Sequence, residues 1–171
     1  MPLVSVTRTY LRMTAREQLV PARIDDARAR IERVHDCPLS FFRYLYVEVG
    51  RAYHWVDRLA WSEERWRARL TQPGVQLHLL TWAGAPAGYY ELEPHADGSV
   101  EIAYFGLLPE FLRRRLGGHL LSAAAEDAWV LGATSVWLHT CTLDDPAALP
   151  NYEHRGFRAF RSEAYEVELP V

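Results

Sequence analysis

The sequence contains no lysine, so all 19 of its basic side chains are arginine. We read this as genomic base composition rather than function, although arginine is also the better bidentate ligand for phosphate. Basic charge does not dominate either: 22 acidic residues outweigh the arginines and leave a formal net charge of −3. That balance argues against nucleic acid as a partner, because nucleic-acid binders carry a strong basic footprint. Cysteine is scarce; Cys37 and Cys141 stand far apart, in no metal-ligand or redox spacing. With no signal peptide at the start, they suggest a reducing, cytoplasmic setting and no bound metal. No apolar run approaches the roughly 18–20 residues that span a bilayer, so a membrane partner is not expected. Repeats, low-complexity tracts and linkers are missing as well. At 171 residues and 49% hydrophobic, the chain is expected to fold as one domain, 1–171, with a sizeable core.

Periodicity supplies the elements. Val4 to Met13 alternates over β-favouring types, and Thr14-Ala-Arg-Glu17 has capping-box spacing for a short helix. Asp25 to Val34 is ambiguous between helix and strand. Leu39 to Arg69 holds Phe41, Phe42, Tyr44, Tyr46, Tyr53, Trp55, Trp61 and Trp66, with Ser62 placed to cap a helix whose first turn carries Glu63 and Glu64. These aromatics pack two helices onto a sheet, or some of them wall an acceptor pocket to which Asp57 or Glu48 adds a polar group. Val75–Trp82, Ala87–Glu93 and Ser99–Leu108 read as an antiparallel meander with short turns, stopped by Pro109.

The pattern then changes to a strong helix, Arg114 to Leu131, capped by Gly132. A strand Ser135–Cys141, a helix Pro146–His154 and an alternating strand Phe157–Leu169 follow. Strand, helix and strand between Ser99 and Cys141 make a βαβ unit, so those two strands should run parallel. The expected class is α/β (α+β): a mixed, mostly antiparallel sheet flanked by helices, with a central parallel strand pair.

The loop Phe111-Leu-Arg-Arg-Arg-Leu-Gly-Gly118 opens the long helix. Free N–H groups at a helix start, with the dipole behind them, form an anion site. Gly117 and Gly118 would let a phosphate approach the backbone, and Arg113, Arg114 and Arg115 add charge suited to phosphate oxygens. The alternative is an arginine-rich, solvated helix start.

Downstream, the stretch from Thr142 to Phe157 resembles the GNAT superfamily of N-acetyltransferases, in the region where an Asn or Asp, an Ala and a Tyr precede Gly-Phe. Asp145, Ala148, Tyr152 and Gly156-Phe157 fall on those positions. The upstream loop falls on the superfamily's pyrophosphate motif, Q/R-x-x-G-x-G/A, with Gly117 on its last position. Leu112 stands in place of the Gln or Arg, and Arg115 in place of the first Gly. The resemblance covers Ser99 to Phe160 well and the Val75–Glu93 hairpin loosely. It implies a cofactor core at about 75–160 and a variable acceptor region at about 39–69.

The resemblance also implies a mechanism. Acetyl-CoA is the co-substrate, and a neutral amine of a small molecule or peptide attacks it directly. Its pyrophosphate is expected at Arg113, Arg114, Arg115, Leu116, Gly117 and Gly118, with Asp145 also at the cofactor. Backbone N–H groups near Leu107 and Leu108 polarise the thioester carbonyl, on a strand that bulges near Gly106. Tyr152 falls on the acid that protonates the departing thiolate, and a phenol of pKa about 10 suits that task. Glu101 falls on the general base of the histone-acetylating branch; His139 and water are the other base candidates. Cys141 lacks a sequence-local His/Asp arrangement that would make it a nucleophile.

Two other classes compete with this reading. One is a non-catalytic acyl-CoA-binding or sensing domain, suggested by Leu112 and Arg115. The other is a nucleic-acid or regulatory module using the arginine triplet, which the acidic balance opposes. The chain is expected to be a monomer or, by base rate, a homodimer.

Overall fold

The computed structural model describes residues 2–169. Strand β1 (Leu3–Met13) leads through a single 3-10 turn (Arg16–Gln18) and an extended segment to β2 (Ala29–Val34). Helices α1 (Leu39–Gly50) and α2 (Glu63–Thr71) follow, then the meander β3 (Gln76–Trp82), β4 (Ala85–Pro94) and β5 (Val100–Leu107). Helix α3 (Leu116–Val130), β6 (Val136–Cys141), α4 (Ala148–His154) and β7 (Arg158–Glu168) complete the chain.

The strands form one sheet in the order β2-β3-β4-β5-β6-β1-β7. Neighbours are antiparallel except β5 and β6, the parallel pair expected of a βαβ unit. Helices cover the sheet unevenly. On one face α3 buries Leu116, Leu120, Leu121, Ala124 and Ala128 against Leu92, Ile102 and Val136, with Tyr152 and Phe157 alongside. Helices α1 and α2 cover part of the opposite face, where Phe42, Leu45, Tyr46, Val49 and Trp66 meet Leu77 and Tyr89.

Three local expectations change. The capping box at Thr14 does not form; the Gln18 side chain instead accepts the N–H groups of Thr14 (2.7 Å) and Ala15 (3.0 Å), holding only a single turn. The ambiguous stretch becomes the short edge strand β2, because pairing with β3 decides what local preference could not. The irregularity in β5 falls at Ala103 rather than Gly106: Glu91 pairs with Tyr104 while Leu92 pairs with Ile102. Gly106 serves packing, since a Cβ there would lie 2.5 Å from Val49 Cγ1 of α1. Ser62 caps α2 as expected, accepting from the Arg65 N–H at 3.2 Å.

Candidate active site

Strands β5 and β6 are bridged only at Val100–Val136 and Glu101–Trp137. Beyond that row they run on to Leu107 and Cys141 with no bridge between them, which leaves a gap in the sheet. Ladder parity fixes what faces it. The Leu108 N–H donates to Ala87 O (2.8 Å), so Leu108 is committed to β4. Leu107, opposite Gly88, then occupies a position whose N–H points to the other edge, into the gap. The Leu108 N–H, expected as one of two donors, is thus taken up by β4, and of the pair only the Leu107 N–H faces the gap.

Tyr152 comes to the same strand from α4. Its ring packs edge-on against Phe105 of β5 (6.1 Å) and Phe157 (6.4 Å). Burial, and secondarily the charge of Asp144, push its phenol well above the usual tyrosine range, so it stays protonated at any working pH.

At the C-terminal end of β5 the chain makes a 3-10 turn (Pro109–Phe111) and enters α3 through the arginine triplet. Arg113 (φ 60°) and Arg115 (φ 63°) both adopt the left-handed conformation that glycine takes readily. Arg115 holds this conformation where the motif has a glycine, at some conformational cost. All three arginines are exposed, and Arg114 stacks on Phe111 at 5.2 Å. Leu112 packs inward against the core. The N–H groups of the first turn, beginning at Leu116, lack helical partners by construction.

The two glycines differ. Gly117 faces Leu107 and Asn151 with ordinary clearance, 4.0 and 3.6 Å from a would-be Cβ. At Gly118 a Cβ would meet Arg155 Nη1 at 2.8 Å and Ala22 Cβ at 3.2 Å, so its side faces protein. There the segment Val20–Ile24 straps α3, Ala22 donating to Ser122 Oγ and Ile24 to His119 Nδ1. Nothing in the sequence reading pointed to Asn151, Arg155 or this strap.

Asp145 lies in the loop after β6, where it accepts from the Ala147 N–H (2.8 Å) and the Tyr53 hydroxyl (3.2 Å). The second contact ties the α1–α2 connection to the C-terminal end of β6.

Glu101 sits at the closed end of the gap, on the face opposite α3. Burial raises its pKa and the charge of Glu93 adds to that, against a hydrogen bond from His95 and the charge of Arg69. Glu93, His95 and Glu101 bring ligand-type atoms within 4.8 Å of one another. Arg69 already compensates the charge there, bridging Glu93 at 2.8 Å.

Further along this face His139 lies against Tyr10 (5.5 Å), with Trp137 and Phe160 beside Tyr10. His139 is exposed at the surface; partial desolvation and the charge of Arg8 lower its pKa and leave it neutral near pH 7. Asp57, named from sequence, reaches over from the α1–α2 connection to the Tyr104 hydroxyl (3.4 Å). Glu48 instead pairs with Arg51 at the surface. Phe42, Tyr46 and Trp66 are core residues, so most of the aromatic segment serves packing. Burial and Asp144 raise the Cys141 pKa, which disfavours a nucleophilic thiolate there.

A mixed sheet split at its one parallel pair, with a helix start at the end of the first split strand, defines the N-acetyltransferase class of fold. Residues 32–157 match the acetyltransferase (GNAT) family, and the chain belongs to it. No curated protein matches the sequence.

Solved structures agree on the fold. A GCN5-related N-acetyltransferase from Kribbella flavida is 22% identical (TM-score 0.68), over 96% of this chain and 58% of its own. A putative GNAT acetyltransferase from Novosphingobium aromaticivorans is 18% identical (TM-score 0.62), over 94% and 63%. The chain thus spans about three fifths of the length of these two relatives. An aminoglycoside acetyltransferase from an uncultured soil metagenomic sample, solved with trehalose, is 16% identical (TM-score 0.62), over 76% of this chain and 89% of its own. Among the described residues, no helix is long and apolar enough to cross a membrane.

Proposed function

We propose that this chain is an acetyl-CoA-dependent N-acetyltransferase that moves the acetyl group directly to the amine of a small molecule or peptide. The observation that carries the reading is the gap between β5 and β6, flanked by Leu107 and Tyr152 and leading to the start of α3. The thioester of acetyl-CoA supplies the activated acyl group. The chain's own residues do the rest. The N–H groups at the start of α3, with Arg113, Arg114 and Arg115, bind pyrophosphate. The Leu107 N–H stabilises the developing oxyanion, and Tyr152 donates a proton to the departing sulfur. Glu101, or His139 across the gap, removes the proton from the amine.

The acceptor approaches on the face opposite α3. Asp57, Tyr104 and the 39–69 region border it on one side, and Trp137, His139 and Tyr10 on the other. A related fold has been solved with the aminoglycoside sisomicin, which makes small polyamines natural first candidates. The second reading, a domain that binds acyl-CoA without turnover, draws on the strained arginines of the helix-start loop.

Acetyl-CoA is expected to raise the melting temperature with the logarithm of its concentration, and free coenzyme A to do so as well. No shift at millimolar ligand would overturn both readings. Thiol release across an amine panel separates them: binding with no release from any acceptor would leave only the sensing reading.

The triplet gives a second expectation. Replacing Arg113, Arg114 and Arg115 with alanine should raise the KM for acetyl-CoA roughly tenfold at low salt, about 1.4 kcal/mol, with kcat nearly unchanged. The effect should shrink as salt screens the charges. An unchanged KM at low salt would show that these side chains merely face solvent.

A further inference from the structure

The turn between β4 and β5 is more constrained than a hairpin connection requires. The His95 N–H donates to Ser99 O (2.8 Å) and the Gly98 N–H to His95 O (3.0 Å), closing the turn. Asp97 accepts from both the backbone N–H (2.9 Å) and the hydroxyl (2.6 Å) of Ser99. Ser99 Oγ in turn accepts from the Trp137 indole N–H at 3.2 Å, fixing that ring across the sheet. The His95 imidazole packs on the Trp137 ring (centroids 5.5 Å apart) and brings Nε2 to 2.8 Å from Glu101 Oε2. A chain of side chains thus runs from the turn, through a neighbouring strand, and ends on one carboxylate oxygen.

We propose that this turn positions Glu101, with His95 as the residue that orients its carboxylate and keeps it an acceptor for the amine proton. The inference rests on the reading of Glu101 as the general base. In the base-competent state Nε2–H donates to Oε2, which leaves Oε1 to take the proton. The groups facing Glu101 are His95 from the turn, Glu93 from β4 and Arg69 from α2. Arg69 is already bound to Glu91 (3.1 Å) and Glu93 (2.8 Å), so it does not replace a donor lost at His95. Burial and Glu93 already hold the Glu101 pKa above the usual carboxylate value, and loss of the imidazole donor removes the hydrogen bond that opposes them. His95 is itself half-exposed, so its replacement should leave the core intact.

The test needs no acceptor in its first arm. Carboxyl-carbon NMR of protein labelled at glutamate follows the Glu101 titration in the wild type, His95→Ala and His95→Gln, with melting temperature as a control. His95→Ala should raise the Glu101 midpoint by roughly one pH unit, a tenfold loss of carboxylate below that midpoint. His95→Gln, whose amide can still donate, should recover at least half of the shift. An unmoved midpoint in His95→Ala overturns the positioning role.

The second arm measures kcat/KM against pH with an amine found by thiol release. The acidic limb should move upward in His95→Ala in step with the NMR midpoint, with the KM for acetyl-CoA unchanged. Full rate in Glu101→Gln, with the NMR shift intact, overturns instead the assignment of Glu101 as base.

Discussion

Tyr152→Phe should lower kcat by about 100- to 10,000-fold while leaving the KM for acetyl-CoA nearly unchanged. The hydroxyl is assigned to proton donation as the carbon–sulfur bond breaks, so its contribution belongs to the transition state. Phenylalanine keeps the ring contacts with Phe105 and Phe157, and the fold should therefore survive. Burial holds the phenol protonated well above its usual range, so no loss of the acid should mark the alkaline side of the profile below pH 10. Steady-state kinetics at saturating acetyl-CoA decide the matter. Full turnover in Tyr152→Phe would reduce Tyr152 to a packing residue and leave thiolate departure to solvent.

Periodicity made most of this architecture legible before any coordinates. The meander, the long alanine- and leucine-rich α3 and the parallel pair follow from alternation, turn residues and connection length, and they form as read. Where the reading stayed open or failed, long-range pairing had decided. β2 is a strand because β3 offers it a ladder. That the Leu107 N–H faces the gap depends on one extra residue at Ala103, since a one-residue slip reverses which N–H groups point there. Nothing in the local sequence specifies that slip.

The candidate site divides in the same way. Glu101, Tyr152 and the helix-start loop stand out because motif spacing marks them. The resemblance expected a glycine where Arg115 stands, and the backbone there is left-handed, a conformation that glycine takes readily. His95 carries no such mark: it lies in a turn six positions from Glu101, and only the hairpin's fold-back joins them. Asp57 was legible as a polar residue within an aromatic stretch. Its partner Tyr104 comes from a strand far along the chain.

The largest stability effect is expected at Glu91, which sequence reading did not single out. Its carboxylate is fully buried and takes both guanidinium nitrogens of Arg58 (2.7 and 3.1 Å) and Nε of Arg69 (3.1 Å). Glu91→Ala would leave Arg58 buried without a counter-charge, while Arg69 keeps Glu93. Breaking a buried pair from one side costs about 3–5 kcal/mol, and denaturant unfolding should show a loss of that size. Replacing both partners, Arg58→Met with Glu91→Leu, should recover much of it, because no stranded charge remains.

The pair also links stability to the acceptor side. The Arg58 guanidinium stacks on Tyr104 (4.1 Å) and Trp61 (4.9 Å), and the Arg58 backbone N–H donates to the Tyr46 hydroxyl (3.1 Å). It therefore pins the α1–α2 connection that carries Asp57 and Tyr53. In folded Glu91→Ala protein, the KM for the acceptor should rise several-fold more than that for acetyl-CoA, whose pyrophosphate is assigned to the start of α3. An equal rise in both would mean that the whole sheet has loosened, and that Arg58 and Glu91 stabilise the fold without shaping the acceptor face.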